Sequence, residues 1–171
     1  MSVTDRLDLA SLRLRPGEGR RLDLSVEQEA LELGGERYEL EPRTVEVTLD
    51  VASLVGGGHT LRLRLGARAS GPCMRCLDPA ALELAIDARE VDVPGEGEEL
   101  DSPYVEGAVL DLRRWAHDAV ALALPTPLLC EPGCLGLCPV CAVRLAQAGP
   151  DHHHEAAPDP RWEALRQLKL E

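Results

Sequence analysis

Aromatic side chains are nearly missing from this chain, which has no phenylalanine, two tryptophans and two tyrosines among its 171 residues. Large aromatic residues supply much of the buried area in an ordinary core, so this core has to be built from leucine, valine and alanine. The hydrophobic fraction of 44% is sufficient for such a core, and the length suits one domain, alone or with a small appendage.

Positive charge is also in short supply. The chain has 18 lysines and arginines against 30 aspartates and glutamates, which gives a net charge of -12 at pH 7. Binding along a phosphate backbone depends on accumulated cationic side chains. The overall charge therefore argues against a protein that coats nucleic acid with its whole surface, and it favours a basic partner protein.

Long hydrophobic runs and common catalytic motifs are lacking as well. No stretch approaches the roughly 18 apolar residues of a membrane span, and the N-terminus has no basic segment followed by an apolar one. The Gly-Gly-Gly-His at residues 56–59 is not followed by the Lys-Ser/Thr of a phosphate loop, and Gly-x-Ser-x-Gly and His-Glu-x-x-His do not occur. We expect a cytoplasmic protein with no membrane partner, no enzymatic activity and no small-molecule substrate.

Cysteine, in contrast, is present in a metal-binding spacing. Four of the six cysteines lie in one short stretch rich in glycine and proline, and the other two form a Cys-x-x-Cys more than fifty residues upstream. They are Cys73, Cys76, Cys130, Cys134, Cys138 and Cys141. A Cys-x-x-Cys turn directs two thiolates at one point, and a tetrahedral ion requires two such pairs. In a reducing compartment this spacing favours metal over disulfides, and the expected cofactor is Zn2+.

Alternating apolar and polar residues predict β-strands in the first part of the chain. Short strands are expected within residues 3–15 and over residues 20–26. Residues 27–33 are predicted to start a helix, which the glycines at 34–35 would stop.

The alternation continues from Arg37 to Leu65, and the three glycines at residues 56–58 predict the turn of an antiparallel hairpin. Residues 51–77 contain four arginines and no acidic residue, which makes them a candidate surface for RNA or an acidic partner. These candidates are Arg62, Arg64, Arg68 and Arg75. The alternative is that Arg62 and Arg64 are ordinary solvent-facing residues paired across the sheet with Glu46 or Asp50.

A further strand is expected to start at Leu77 and run to Val93, followed by an exposed, mobile acidic loop over residues 94–102. Asp111 is expected to cap a helix with an apolar stripe from Leu112 to Leu122, in which Trp115 packs the helix onto the sheet. Near the end of the chain, residues 160–170 predict a short helix.

These elements predict an α+β protein, with a mostly antiparallel β-sheet or barrel-like core, a helix before the C-terminal cysteine knuckle and a short C-terminal helix. We expect residues 1–128 to form the β-rich core with its one main helix. Residues 129–171 are expected to hold the cysteine and histidine knuckle and the last helix, packed on the core through Cys73 and Cys76.

Four motifs occur in an order that resembles the YceD family of large ribosomal RNA subunit accumulation proteins, from about Gly19 to Leu170. The motifs are Cys-Met-Arg-Cys-Leu-Asp-Pro, Leu-Ala-Leu-Pro-Thr-Pro-Leu-Leu-Cys, Cys-Leu-Gly-Leu-Cys-Pro-Val-Cys and Asp-Pro-Arg-Trp-Glu-Ala-Leu-Arg-Gln-Leu. The resemblance implies a non-enzymatic role in assembling the large ribosomal subunit or maintaining its 23S rRNA. The implied partner is the large-subunit precursor, contacted through a ribosomal protein or through rRNA.

The chain departs from the family pattern in one place. Members of the family often have a Cys-x-Cys about ten residues after the last Cys-x-x-Cys, where this chain has histidines at 152–154. Imidazole nitrogen can replace thiolate at zinc, and His152 and His154 keep the i, i+2 spacing. The replacement is compatible with a retained site and equally with a lost one.

Three arrangements of four-coordinate zinc fit the spacing. In the first, the upstream pair joins the first two cysteines of the stretch, and the last two form a possible second site with histidines. The two sets are Cys73, Cys76, Cys130 and Cys134, then Cys138, Cys141, His152 and His154. In the second arrangement the upstream pair joins the last two cysteines as a conventional ribbon. In the third the four cysteines of the stretch act alone, which would also suit an iron–sulfur cluster.

The resemblance implies the first arrangement, because family members that are shorter after the helix keep the upstream pair together with ligands like Cys130 and Cys134. This arrangement also ties the sheet to the end of the helix across a long loop, where a cross-link restricts the unfolded chain most. Two other functions remain open at this point. One is a metal-dependent hydrolase acting on RNA through His152, His154 and Glu155, and the other is a redox or zinc-storage protein with reactive Cys138 and Cys141.

Overall fold

The computed structural model describes residues 3–95, 97 and 100–154. In chain order its strands are β1 (Arg6–Asp8), β2 (Gly19–Glu27), β3 (Leu31–Leu33), β4 (Glu36–Glu41), β5 (Thr44–Ser53), β6 (His59–Pro72), β7 (Pro79–Asp92), β8 (Val105–Glu106) and β9 (Val109–Asp111), and its helices are α1 (Leu112–Ala123) and α2 (Leu145–Ala148). The protein is therefore α+β and mostly antiparallel sheet, as the sequence predicts.

The long strand β6 organises the main sheet. One edge of β6 pairs with β7 along its whole length, from His59 opposite Asp92 to Pro72 opposite Pro79. The other edge pairs first with β5 and then with β4, so two strands share it. β2 adds to β5 and β3 adds to β4, while β1, β9 and β8 form a small second sheet.

The hydrophobic core lies between the main sheet and α1. Along β6 the side chains of Leu61, Leu63 and Leu65 are buried, and the intervening arginines lie on the opposite face. The predicted hairpin between β5 and β6 is confirmed, with Leu49 opposite Leu63. Because aromatic residues are scarce, most of the buried side chains are aliphatic, and Trp115 and Tyr38 are the two large exceptions.

Helix α1 begins where the sequence predicts. The carboxylate of Asp111 accepts a hydrogen bond from the Arg114 N–H at 3.0 Å, which caps the first turn. Trp115 is 2% exposed and packs against the core as predicted. Leu122, in contrast, is 84% exposed, so the prediction that the apolar stripe extends to Leu122 was wrong. The core contacts end at Val120, because the last turn of α1 projects beyond the buried face.

The prediction of a helix over residues 27–33 was wrong. Leu31 pairs with Tyr38 and Leu33 pairs with Glu36, so this segment forms a strand of a β3–β4 hairpin. Gly34 and Gly35 both have positive φ, at 63° and 85°, which is the conformation that a two-residue hairpin turn of type I′ requires. Burial of Leu31 against the core, at 3% exposure, outweighs the helix propensity of the surrounding alanine, glutamate and leucine.

The predicted strand within residues 3–15 is present only as the three residues of β1. After it, the Asp8 carboxylate accepts a hydrogen bond from the Ala10 N–H at 3.0 Å and starts a 3-10 turn over Leu9–Leu12. This turn buries both Leu9 and Leu12, which a flat strand with alternating faces would not do together.

The end of the acidic loop over residues 94–102 also differs from the prediction. Its described residues are mostly exposed, but Ser102 is buried and its N–H donates to the Asp92 carboxylate at 3.2 Å. The short helix α2 was not predicted, and the predicted helix at 160–170 lies outside the described residues. Within the described ranges, no helix has the length and apolar content that crossing a bilayer requires.

Candidate metal centres and arginine face

The first cysteine pair forms a tight turn at the end of β6. The Leu77 N–H donates to the carbonyl oxygen of Cys73 at 2.9 Å, and the Cys73 N–H donates to the carbonyl oxygen of Asp78 at 2.7 Å. Leu77 adopts a left-handed conformation with φ of 64°. We call residues 73–78 the first knuckle.

Cys138 and Cys141 form a second turn of the same construction, which we call the second knuckle (residues 138–143). The Ala142 N–H donates to the carbonyl oxygen of Cys138, and the Cys138 N–H donates to the carbonyl oxygen of Val143, both at 2.8 Å. Ala142 is also left-handed, with φ of 56°. Glycine would mark such positions in a sequence, so the leucine and alanine found here gave no signal of this backbone geometry.

The first knuckle brings its two thiols against two more from the segment after α1. Cys73 Sγ lies 3.8 Å from Cys134 Sγ, and Cys76 Sγ lies 3.5 Å from Cys130 Sγ. All four sulfurs lie within 4.8 Å of one another. Four thiolates about 2.3 Å from a tetrahedral ion would be separated by edges of about 3.8 Å. These four cysteines, the first centre, therefore have the spacing and the donor atoms for a four-coordinate metal ion.

The second knuckle meets two histidines from the following segment. Cys141 Sγ lies 3.7 Å from His152 Nε2, and the ligand atoms of Cys138, Cys141, His152 and His154 all lie within 4.8 Å of one another. Cys138 is buried, whereas Cys141 and His154 are exposed. These four residues form the second centre. His153, between its two histidines, is exposed, and its Nδ1 lies 2.7 Å from the carbonyl oxygen of Asp151.

The proton affinities within the first centre are uneven. Hydrogen bonding from Cys76, together with burial and the other cysteines, raises the pKa of Cys130 to about 12. Burial raises the pKa of Cys73 too, but the backbone N–H groups of Arg75, Cys76 and Cys130 outweigh it and bring that pKa to about 6. Four crowded thiolates repel one another, and a divalent cation between them removes that repulsion. The donor set therefore fits a cation such as zinc.

In the second centre the strongest effect is on Cys138. A hydrogen bond from His152, assisted by the backbone N–H groups of Cys141 and Val140, lowers the pKa of the Cys138 thiol to about 6. A thiolate beside neutral imidazole nitrogens is a donor set that zinc accepts. Both clusters can thus hold a metal ion, and that they do so stays a prediction.

Side-chain contacts join the segment with the last four cysteines to the first knuckle. The Arg75 guanidinium donates to the carbonyl oxygen of Cys134 at 2.7 Å, and Arg144 forms an ion pair with Asp78. Gly136 lies so close that a Cβ there would be 3.1 Å from the Arg75 carbonyl oxygen. Arg75, one of the four candidate RNA-binding arginines, therefore lies at the metal centres and away from the other three along the sheet.

Arg62, Arg64 and Arg68 lie on the outer face of the main sheet, and all three contact carboxylates. Arg64 pairs with Asp50 at 2.8 Å, one of the two partners that the cross-strand alternative names. Arg62 pairs with Asp87 of β7, with Nε and Oδ1 2.8 Å apart. The more distant pair joins Arg68 and Glu83 at 3.4 Å. The prediction that these arginines contact RNA or a partner therefore has to account for these carboxylates.

Two further arginines on this face were missed from the sequence. Arg21 of β2 pairs with Asp50 at 2.7 Å, and Arg89 of β7 lies opposite Arg62. Together with Asp50 they line an open groove of about 650 Å³. Their signal was available, because each alternates with an aspartate on an amphipathic strand, but which strands neighbour β6 could not be read from the sequence. We call Arg21, Arg62, Arg64, Arg68 and Arg89 the arginine face.

The ion pairs of this face also change the acidity of its carboxylates. The hydrogen bond from Arg21 holds the pKa of Asp50 below its usual value, with help from the charge of Arg64. The hydrogen bond from Arg62 lowers the pKa of Asp87 in the same way. Both aspartates therefore remain ionised at neutral pH and neutralise part of the arginine charge.

Residues 61–169 of the chain match the family model described as large ribosomal RNA subunit accumulation protein YceD. Similar proteins include uncharacterised proteins of Mycobacterium bovis and Mycobacterium tuberculosis, each 32% identical over 169 residues, which cover 95% of this chain and 80% of the relative. No solved structure matches the chain. The matched residues contain both knuckles and every candidate metal ligand.

Proposed function

Since this chain belongs to the YceD family, we propose that it is a non-enzymatic factor in the biogenesis of the large ribosomal subunit, acting on the accumulation of its 23S rRNA. The family description, large ribosomal RNA subunit accumulation protein, is the observation that carries this proposal. The partner is then the large-subunit precursor, and the protein works in the cytoplasm, where that precursor is assembled.

The bound metal in this proposal is zinc, held at both centres. Each centre offers four protein ligands, with thiolates alone at the first and with thiolates and imidazoles at the second. Zinc sites filled by four protein ligands are structural, because catalysis needs a position open to water or substrate. Zinc then ties the segment after α1 to the end of β6.

The same ligand count argues against the hydrolase alternative. A hydrolase built on His152 and His154 would leave a coordination position for water and place a general base beside it. Here Cys138 and Cys141 supply the remaining two ligand atoms within the same cluster. The proposed base, Glu155, lies outside the described residues. We therefore assign the second centre a structural role as well.

The arginine face is the surface we propose for rRNA. Five arginines extend across four neighbouring strands of a protein whose net charge is -12. A local positive field on an acidic protein orients it toward phosphate, because the remaining surface repels it. The aspartates at 50 and 87 weaken that field, so phosphate has to compete with existing ion pairs. Such exposed pairs contribute little and exchange readily.

The experiment that tests the proposal is recovery of the tagged protein from an extract that contains assembling ribosomes. The ratio of 23S to 16S rRNA in the recovered material is measured by sequencing. We expect enrichment of 23S rRNA and of large-subunit proteins. Equal recovery of both rRNAs, or recovery of neither, would contradict the proposed role.

A matched control separates the partner surface from the metal centres. The Arg62→Ala/Arg64→Ala variant should fold and bind zinc but recover less 23S rRNA. The Cys76→Ser/Cys134→Ser variant should lose metal first and lose rRNA only as a consequence of unfolding. A loss of rRNA in the cysteine variant while the arginine variant behaves as wild type would show that binding runs through the metal centres instead.

A further inference from the structure

A polar cavity of about 450 Å³ lies at the corner where β2 leads into β3 and β4 leads into β5. Glutamates and arginines line most of its wall. One lining residue is different: Gln28 is only 6% exposed and has a neutral amide side chain. We call this feature the Gln28 cavity.

The backbone of Gln28 is anchored but its side chain is not. The Gln28 N–H donates to the carbonyl oxygen of Arg43 at 2.7 Å, which fixes the residue against the turn between β4 and β5. Neither the amide oxygen nor the amide nitrogen of its side chain has a hydrogen-bond partner among the described residues. Buried polar groups are nearly always paired, because leaving one without a partner is costly. The amide therefore faces a group that lies outside the described chain.

The chemistry of the amide limits what that group can be. Its oxygen requires a donor and its nitrogen requires an acceptor, so a single ion of either sign satisfies only half of it. A peptide segment supplies both, since its carbonyl oxygens accept and its N–H groups or a cationic side chain donate. A cavity of this volume is within the range of small-ligand sites and can take one long side chain with its backbone.

The charges around the cavity determine the sign of the ligand. Four carboxylates line it against three guanidinium groups. Two of these pairs are already formed, Arg37 with Glu39 and Arg113 with Glu29. Glu27 and Glu32 then stand against Arg43. A smaller cavity of about 240 Å³ shares Glu27 and Glu29 and adds Asp111. The acidic excess favours a cationic side chain and disfavours phosphate.

We propose that the Gln28 cavity binds an arginine- or lysine-containing segment of a basic partner protein. The cationic side chain enters between Glu27 and Glu32 and donates to the amide oxygen of Gln28, and a backbone carbonyl of the segment accepts from the amide nitrogen. This site lies apart from the arginine face, so the protein contacts a basic polypeptide through one surface and phosphate through another. The peptide site stands independently of the proposed rRNA contact.

The test uses the whole protein and a defined probe, the peptide acetyl-Gly-Arg-Gly-Arg-Gly-amide. The control probe replaces each arginine with citrulline, which keeps the shape and removes the charge. Binding is followed by NMR titration, with the side-chain amide signals of Gln28 as the local reporter. We expect the arginine peptide to shift these signals and the citrulline peptide to bind on the order of tenfold more weakly or not at all.

Three variants separate the cavity from general charge attraction. Gln28→Met keeps the chain length but removes the donor and the acceptor, and Glu27→Gln/Glu32→Gln removes the two carboxylates. Glu18→Gln/Glu106→Gln makes the same charge change at exposed positions outside the cavity. We expect the first two variants to lose on the order of tenfold in peptide affinity and the third to bind as wild type. Gln28→Met should melt no lower than wild type, because its amide has no partner to lose.

The contrary outcomes are equally definite. The proposal is wrong if both peptides bind alike, or if the cavity variants and the Glu18→Gln/Glu106→Gln control lose the same affinity. Shifts confined to residues of the arginine face would also overturn it. So would binding of a single-stranded RNA oligonucleotide that displaces the peptide from the Gln28 signals. Failure of 23S rRNA recovery, in contrast, would leave the peptide site standing.

Discussion

Cys76 Sγ and Cys130 Sγ lie 3.5 Å apart although 54 residues separate them in the chain. One belongs to the turn after β6 and the other to the segment after α1. An ion held between them would therefore close a loop that contains β7, the small sheet and the main helix. If a metal cross-link acts as a disulfide does, closing a loop of this length contributes about 4 kcal/mol to the free energy of unfolding.

The first prediction follows from that loop. Cys76→Ser and Cys134→Ser should each lower the free energy of unfolding by about 3–5 kcal/mol, because either change removes a ligand from the ion that closes the loop. The measurement is a thermal or urea melt of each purified variant. A silent Cys134→Ser beside a severe Cys138→Ser would contradict the ligand set and would favour the conventional ribbon pairing.

The second prediction concerns the second centre. Its ligands all come from residues 138–154, so metal there closes only a short loop and stabilises the fold less. His152→Ala and His154→Ala should each reduce the metal content by one ion per chain and lower stability by about 1 kcal/mol or less. His153→Ala is the matched control and should keep both ions. Retention of full metal content by His152→Ala would remove His152 from the centre.

The third prediction tests the knuckle geometry. Leu77 and Ala142 have positive φ, which costs a residue with a Cβ about 1 kcal/mol relative to glycine. Leu77→Gly and Ala142→Gly should therefore raise stability by up to about 1 kcal/mol and should retain metal. Leu122→Gly, in the last turn of α1, should have the opposite sign. Destabilisation by both knuckle changes would mean that these turns have ordinary backbone geometry.

The fourth prediction separates RNA contact from cross-strand pairing on the arginine face. Arg62→Ala/Arg64→Ala should weaken binding to large-subunit RNA and flatten its salt dependence, because each arginine that meets phosphate releases counterion. Asp50→Asn and Asp87→Asn should strengthen binding, since they free the same arginines. All of these changes should alter stability by only about 0–1 kcal/mol.

The check on the fourth prediction is a titration of each variant with large-subunit RNA at several salt concentrations, alongside a melt. Asp101→Asn makes the same change in an exposed loop and serves as the control. Binding curves that coincide for wild type and the arginine variant would leave these residues as cross-strand partners. The ribosomal role would then depend on a protein partner.

Local sequence signals predicted the elements that depend on local chemistry. The Asp111 cap, the glycine turn before β6 and the alternation of Leu61 with Arg62 are each decided within a few residues, and each is present in the structure. The grouping of cysteines was also accessible, because two ligand pairs in order leave few pairings. The left-handed turns after Cys76 and Cys141 were not, since neither has the glycine that announces them.

The missed features depend on contacts between distant segments. Residues 27–33 have helix propensity, but pairing of Leu31 with Tyr38 makes them a strand. The partner of Arg62 is Asp87, which the sequence could not identify because it did not show that β7 lies beside β6. The unpaired amide of Gln28 is a consequence of burial at a corner formed by two separate turns, and no local pattern indicates it.

Metal content is the measurement that tests the account most directly, because both centres and the proposed structural role depend on it. Native mass spectrometry of the purified protein should give a mass increase of two zinc ions per chain, and a strong chelator should remove them and lower the melting temperature. A metal-free protein whose melting is unchanged by the chelator would contradict the account. The six cysteines would then be packed thiols, and the clustering of Cys76 with Cys130 would have no metal to explain it.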